Sequence, residues 1–329
     1  MPRRSRALVL ASTLALGLSA CGSGSTDGGA DAEGSADLQV VASFYPVQYL
    51  VERVAGEHAE VSSLTAPGVD PHSLELSPRD VGSLGDADLV VYSAGMQAAV
   101  DDAVESQVDD TALDVAPAAD LLSVSETEEE HAGHSEEGDE DREHEGDEGH
   151  EGHDHGSEDP HFWLDPERYG HVVEAIADRL VEVDPDHAAD YEANAASVVE
   201  DLDALDADFE QGLADCTSRD LVTTHEAFGY LAERYDLHQM GITGISPEAE
   251  PSAARLAEIS SQVEELGVTT IYAEPILTNA IARTVAQETG TRVLTLDPLG
   301  GITEESAGED YLEVMRANLE ALSDGLGCS

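Results

Sequence analysis

Thirteen histidines are the residues of this 329-residue chain with the most chemistry to offer, and four of them stand in distinctive company. His72 lies in Pro67-Gly68-Val69-Asp70-Pro71-His72-Ser73, a proline-rich loop. His161 lies in Asp159-Pro160-His161-Phe162-Trp163-Leu164-Asp165-Pro166, beside the only tryptophan. His225 ends the run Leu221-Val222-Thr223-Thr224, and His238 follows the helical stretch after it. Neutral imidazoles with a carboxylate suit Zn(II), which favours four-coordinate N/O sites. Separations of 89 residues from His72 to His161 and 64 more to His225 resemble no compact zinc finger, so the three could meet only in a cleft between halves of a fold. Spacing alone leaves a second reading open, in which they are separate surface or capping histidines. His58, His171, His187 and His238 read as surface or helix-terminal residues. Other chemistry is excluded more firmly. The chain has no lysine, so a Schiff base or a phosphate-loop lysine is impossible. His225-Glu226-Ala227-Phe228-Gly229 begins like a zinc-protease helix but has Gly229 where the second histidine must stand.

The elements that must position these residues alternate along the chain. Short apolar runs at Leu38 to Ala42, Val61 to Leu64, Leu89 to Tyr92, Leu221 to Thr224, Thr269 to Tyr272 and Val293 to Leu296 read as strands. Pro46 to Val54, Arg79 to Leu84, Ala227 to Tyr235 and Ala280 to Glu288 read as the helices between them. Ser77-Pro78-Arg79-Asp80 supplies an N-cap, a proline at the first helical position and an acid at the third. Repeated strand, loop and helix predict an α/β fold with mainly parallel sheets, whose ligand sites form beyond the carboxyl ends of strands. From His187 to Leu213, Tyr191, Val198, Leu202, Leu205, Phe209 and Leu213 recur at helical spacing, predicting roughly 26 residues, or about 40 Å, of helix. Its length fits a strut between lobes and a packed surface helix equally.

Against 14 arginines stand 71 acidic residues, a net charge of −57 that excludes unspecific binding to nucleic acid or anionic headgroups. Residues 1–21 read as an export signal: Arg3, Arg4 and Arg6 precede an apolar run too short to span a bilayer. The run ends Leu18-Ser19-Ala20-Cys21, which resembles a bacterial lipobox, with Cys21 the acylated residue. A plain secretory signal is the alternative. Residues 22–37 are Gly-, Ser- and Asp-rich and read as a flexible tether. Residues 125–159 carry 17 acids and six histidines with no aliphatic side chain larger than Ala, and read as a disordered insert. Cys216 and Cys328 remain, an even pair that in an exported protein is most simply a disulfide, valued at roughly 4 to 5 kcal/mol in the chain-entropy model.

Four segments, taken in order, carry a family resemblance: Pro67 to His72, Asp159 to Pro166, Thr224-His225-Glu226-Ala227-Phe228-Gly229-Tyr230, and Leu296-Asp297-Pro298-Leu299-Gly300. Together they resemble the signature segments of the metal-binding receptors of cluster A-I ABC importers, from about Leu38 to the C-terminus. The resemblance implies two βα lobes, residues 38–186 and 215–329, joined by one long rigid helix at 187–214, with the metal in the cleft between lobes. It implies His72, His161, His225 and Asp297 as ligands, with Glu274 supporting, and His225 favours the zinc-type members over the manganese-type. The insert's His131, His134, His144, His150, His153 and His155 would hold metal weakly. The expected function is that of a lipid-anchored, monomeric receptor at the outer face of the bacterial cytoplasmic membrane, which passes Zn(II) to an ABC permease without catalysis. The alternatives are a manganese-selective receptor, a zinc-dependent adhesin or a hydrolase. Because ligating imidazoles must be neutral, affinity is expected to fall below about pH 6.5.

Overall fold

The computed structural model describes residues 38–123, 158–247, 250–276 and 280–329. The expected signal, the tether and residues 124–157, with Cys21 and the six histidines from His131 to His155, lie outside the described residues. The first half runs β1 (Leu38–Ala42), α1 (Tyr45–Ala55), β2 (Ala59–Ser63), α2 (Pro78–Asp86), β3 (Leu89–Tyr92), α3 (Ala98–Gln107), β4 (Ala112–Asp114), α4 (Ala116–Ala119) and α5 (Pro166–Val183). After α6 (Ala188–Gly212) come β5 (Asp220–Thr223), α7 (Gly229–Arg234), β6 (His238–Gly241), α8 (Ala253–Leu266), β7 (Thr270–Ala273), α9 (Ala280–Thr289), β8 (Arg292–Thr295) and α10 (Tyr311–Leu326). The expected α/β fold is present: each half builds one parallel four-stranded sheet, in the order β2-β1-β3-β4 and then β6-β5-β7-β8.

The two halves repeat one backbone register. Ser43 donates its N–H to Val91 beyond β1, as Thr224 donates to Tyr272 beyond β5; Leu64 bonds Ala42 as Ile242 bonds Thr223; Val115 bonds Tyr92 as Leu296 bonds Ala273. This register makes Phe44 the counterpart of His225, and Ser93 the counterpart of Glu274.

Parallel sheets bury both faces, and the cores divide accordingly. Val41, Leu84, Val90 and Val104 form an outer cluster in the first half, and Val222, Ile259, Ile271 and Val285 one in the second. The inner cluster is continuous between halves, from Val40 and Phe44 through Trp163 and Phe209 to Tyr230 and Tyr311. In α6, Tyr191, Ala195, Val198, Leu202, Leu205 and Phe209 are buried, and the helix packs against α1 and α5 of the first half and α10 of the second. It is both long and packed, tied to α1 by Arg53 to Asp201 at 2.7 Å. The Cys216–Cys328 disulfide fastens the end of α10 just beyond α6.

Helix α2 starts as its sequence requires. The Ser77 hydroxyl accepts from the Asp80 N–H, and the Asp80 carboxylate accepts from the Ser77 N–H, a capping box in which the N-cap contributes about 1 kcal/mol. Strands β4 and β6 escaped the sequence reading because Ala-Leu-Asp and His-Gln-Met-Gly lack β-branched residues. Both are edge strands, and His238 opens β6 on the surface instead of ending a helix.

Candidate metal centre

His225 follows β5 by one residue. His72 sits on a single 3-10 turn, Pro71–Ser73, in the long connection between β2 and α2, where the Asp70 carboxylate caps the His72 N–H at 3.1 Å. His161 precedes the 3-10 turn Phe162–Leu164, which runs into α5, whose N-cap Asp165 accepts from Glu167 and Arg168. Packing brings the three rings together: the Nε2 atoms of His72 and His161 lie 3.1 Å apart, and those of His225 and His161 3.5 Å. Among the described residues they form the one group of His, Cys, Asp and Glu with ligand atoms close enough to share a metal ion. The space between them, lined also by Met96, Glu274 and Pro298, amounts to about 30 Å³. That is room enough for a single ion between the three rings.

Two rings are oriented from behind. His161 Nδ1 meets the Asp159 carboxylate at 2.7 Å, and the same oxygen accepts the His161 backbone N–H at 3.0 Å. His225 Nδ1 meets the Glu274 carboxylate at 2.5 Å, on an oxygen that also accepts from the Thr224 hydroxyl. A carboxylate on Nδ1 keeps the proton there and aims the Nε2 lone pair at the centre. Asp159, His161, His225 and Glu274 are all buried. Burial, then the charges that His161 and His225 would carry, pushes His72 down to about 2, and burial drives His161 well below the ordinary imidazole range. Burial raises the Asp159 carboxyl up to about 7.

Residues 40–325 match the family model described as zinc-uptake complex component A, periplasmic. The chain belongs to this family. The zinc-binding lipoprotein AdcA of Streptococcus pneumoniae serotype 4 is 38% identical over 324 residues, covering 96% of this chain and 60% of that protein. The high-affinity zinc uptake system protein ZnuA of Bacillus subtilis strain 168 is 35% identical over 312 residues, covering 94% of this chain and 93% of the relative. Among solved structures, Zn(II)-bound AdcA from Streptococcus pneumoniae superposes with a TM-score of 0.71 at 35% identity, over 88% of this chain and 58% of that one. The chain thus spans little more than half the length of the streptococcal AdcA proteins it matches.

Of the four ligands expected in this member of the zinc-uptake component A family, three converge and Asp297 stands outside the group. The Asp297 carboxylate is engaged in a turn: one oxygen accepts from the Leu299 N–H at 2.8 Å and the other from the Ser306 hydroxyl at 3.1 Å. Leu299 has φ +60°, a conformation rare for a side chain of its kind, and the Asp297 bond fixes it. The turn aims the Pro298 carbonyl at the Trp163 indole N–H, 2.7 Å away, and Tyr311 donates to the Trp163 carbonyl at 2.6 Å. The fourth motif therefore braces the second. The third does so as well, since the Tyr230 hydroxyl donates to the Asp159 carbonyl at 2.5 Å. Glu274, read as supporting, lines the central space and holds His225. Asp159 falls within both the insert bounds 125–159 and the second motif; it is buried on His161, as its place in the motif two residues before that histidine signals.

Proposed function

We propose that the chain is an extracytoplasmic receptor that captures Zn(II) on His72, His161 and His225 and passes it to an ABC-type permease. The observation that carries this reading is the convergence of three imidazole Nε2 atoms on a space for one ion, two of them braced by buried carboxylates. Three neutral nitrogens suit zinc better than manganese, which favours oxygen donors. The relatives AdcA, a zinc-binding lipoprotein, and ZnuA, a high-affinity zinc uptake protein, support the same cargo. Acylated Cys21 holds the protein to the outer face of the membrane as a monomer, with residues 38–186 and 215–329 as lobes and 187–214 between them. The insert histidines gather metal weakly. Catalysis has no place in this reading, because a hydrolytic zinc needs a general base, and Asp159 and Glu274 are engaged on the Nδ1 atoms of His161 and His225. Metal analysis of the purified protein, followed by competition of Zn(II) against Mn(II), tests the proposal. One tight zinc equivalent that Mn(II) cannot displace is expected, and preferential retention of Mn(II) would overturn it.

A further inference from the structure

The first half carries neither imidazole nor carboxylate at the two strand-end positions that hold His225 and Glu274 in the second. Phe44 and Ser93 stand there instead, and Phe44 packs edge-on against Trp163 with ring centroids 5.1 Å apart. His72 must be placed by other means, since its turn lies well beyond the end of β2 and its side chain is only half-buried.

Gln97, buried at the start of α3, spans the gap. Its Nε2 donates to the Pro71 carbonyl at 3.2 Å and to the Thr65 hydroxyl at 2.9 Å. Thr65 in turn donates to the carbonyl of Ser43, the residue beyond β1, at 2.8 Å. The orientation of the amide is dictated by its neighbours: the Pro71 carbonyl can only accept, and the single Thr65 proton is committed to Ser43, so both must face the NH₂ end. Ser43, Thr65 and Gln97 are all buried. In the second half the Thr243 hydroxyl donates to the Thr224 carbonyl at 3.0 Å, the same bond as Thr65 to Ser43, and there His225 is the next residue in the chain, just beyond β5. The first half reaches its ligand one step further out, through a side-chain amide.

We propose that Gln97 is a positioning residue of the zinc site, holding the Pro71-His72 turn to the end of β1 and the start of α3 so that His72 Nε2 stays beside His161 Nε2. The proposal rests on the reading that the three histidines bind zinc. It is tested by chelator-competition titration of Zn(II) at pH 7.5 on the full chain and on Gln97→Met, which keeps length and removes both donors. Partners that orient a metal ligand typically contribute 10- to 100-fold in affinity, and a loss of about that size is expected. The same substitution should add nothing in a His72→Ala background, because a residue acting through His72 has nothing left to position. Should Gln97→Met fold poorly, Thr65→Val against Thr65→Ser gives the same readout: the valine weakens zinc binding, and the serine, which keeps the hydroxyl, recovers it. Unchanged affinity in Gln97→Met or Thr65→Val, or a loss that persists in full without His72, would overturn the latch alone. A wild-type chain that takes no zinc, or a His72→Ala variant with full affinity, would overturn the receptor reading and the latch together.

Discussion

The two halves share strand order, direction and register, yet they bring their histidines to the candidate site by different means. In the second half the sheet does it directly: His225 and Glu274 stand just beyond β5 and β7, buried and bonded to each other. In the first half the same positions hold Phe44 and Ser93, and the ligands come from connections, His72 on a latched turn and His161 on the return from the long segment after β4. A parallel sheet fixes where the crevice lies, while the side chains at the strand ends decide whether the backbone or a chain of side-chain bonds places the ligand. The second half thus places its histidine and carboxylate directly from strand ends.

The largest effects should come from the ligands. If zinc affinity of roughly 10–16 kcal/mol is spread over four coordination positions, each contributes about 3 kcal/mol, so His225→Ala and His161→Ala should lose more than about a hundredfold by calorimetric titration. His72→Ala should lose less, because water can reach that half-buried position and take the place of the imidazole. Equal losses for all three would erase the distinction between the half-buried histidine on its turn and the two buried, carboxylate-braced ones.

Next come the bracing carboxylates. Glu274→Gln and Asp159→Asn should each weaken zinc by about 10- to 100-fold, with little change in the melting temperature of the metal-free protein at pH 7.5; a large drop in melting without loss of affinity would make them structural only.

Acid should then loosen the metal-free fold. His72 and His161 have folded pKa values below the unfolded value of about 6.5, so the unfolded chain takes up protons first, and the stability they contribute above pH 6.5 is lost as pH falls. Asp159 has the opposite sign: raised to about 7, it contributes most below its unfolded pKa and loses that contribution as pH rises through 7. Melting curves without metal from pH 7.5 to 5.5 should fall, and fall more steeply in Asp159→Asn, which lacks the opposing group. A flat profile would mean that the imidazoles are not buried neutral.

The smallest effect should follow deletion of residues 125–157, which spares Glu158, bridged to Ser123, and Asp159. Equilibrium dialysis should count fewer weak zinc equivalents and one unchanged tight site, since the tight ligands are set by packed elements; loss of the tight site would make the insert part of it.

Much of this was legible from the residues. Alternating apolar runs marked six of the eight strands because buried parallel strands need β-branched stretches. The six-residue stripe from Tyr191 to Leu213 marked α6 because a packed helix repeats every 3.6 residues, and Ser77 with Asp80 marked the start of α2 because a cap is a local bond. The pair Cys216 and Cys328 and the three histidines were likewise visible as residue types. The fold settled what no local pattern carries. Asp297 has the chemistry of a ligand, yet its two oxygens are turned to Leu299 and Ser306. Asp159 has the composition of the insert, yet it orients His161. Gln97 has no signature at all, and acquires its place from Thr65 and Pro71, 32 and 26 residues away. Local sequence determines backbone periodicity and the supply of donors, because those depend on neighbours a few residues apart; which donors face one another is decided by packing, because it depends on residues that only the folded chain brings within 3 Å.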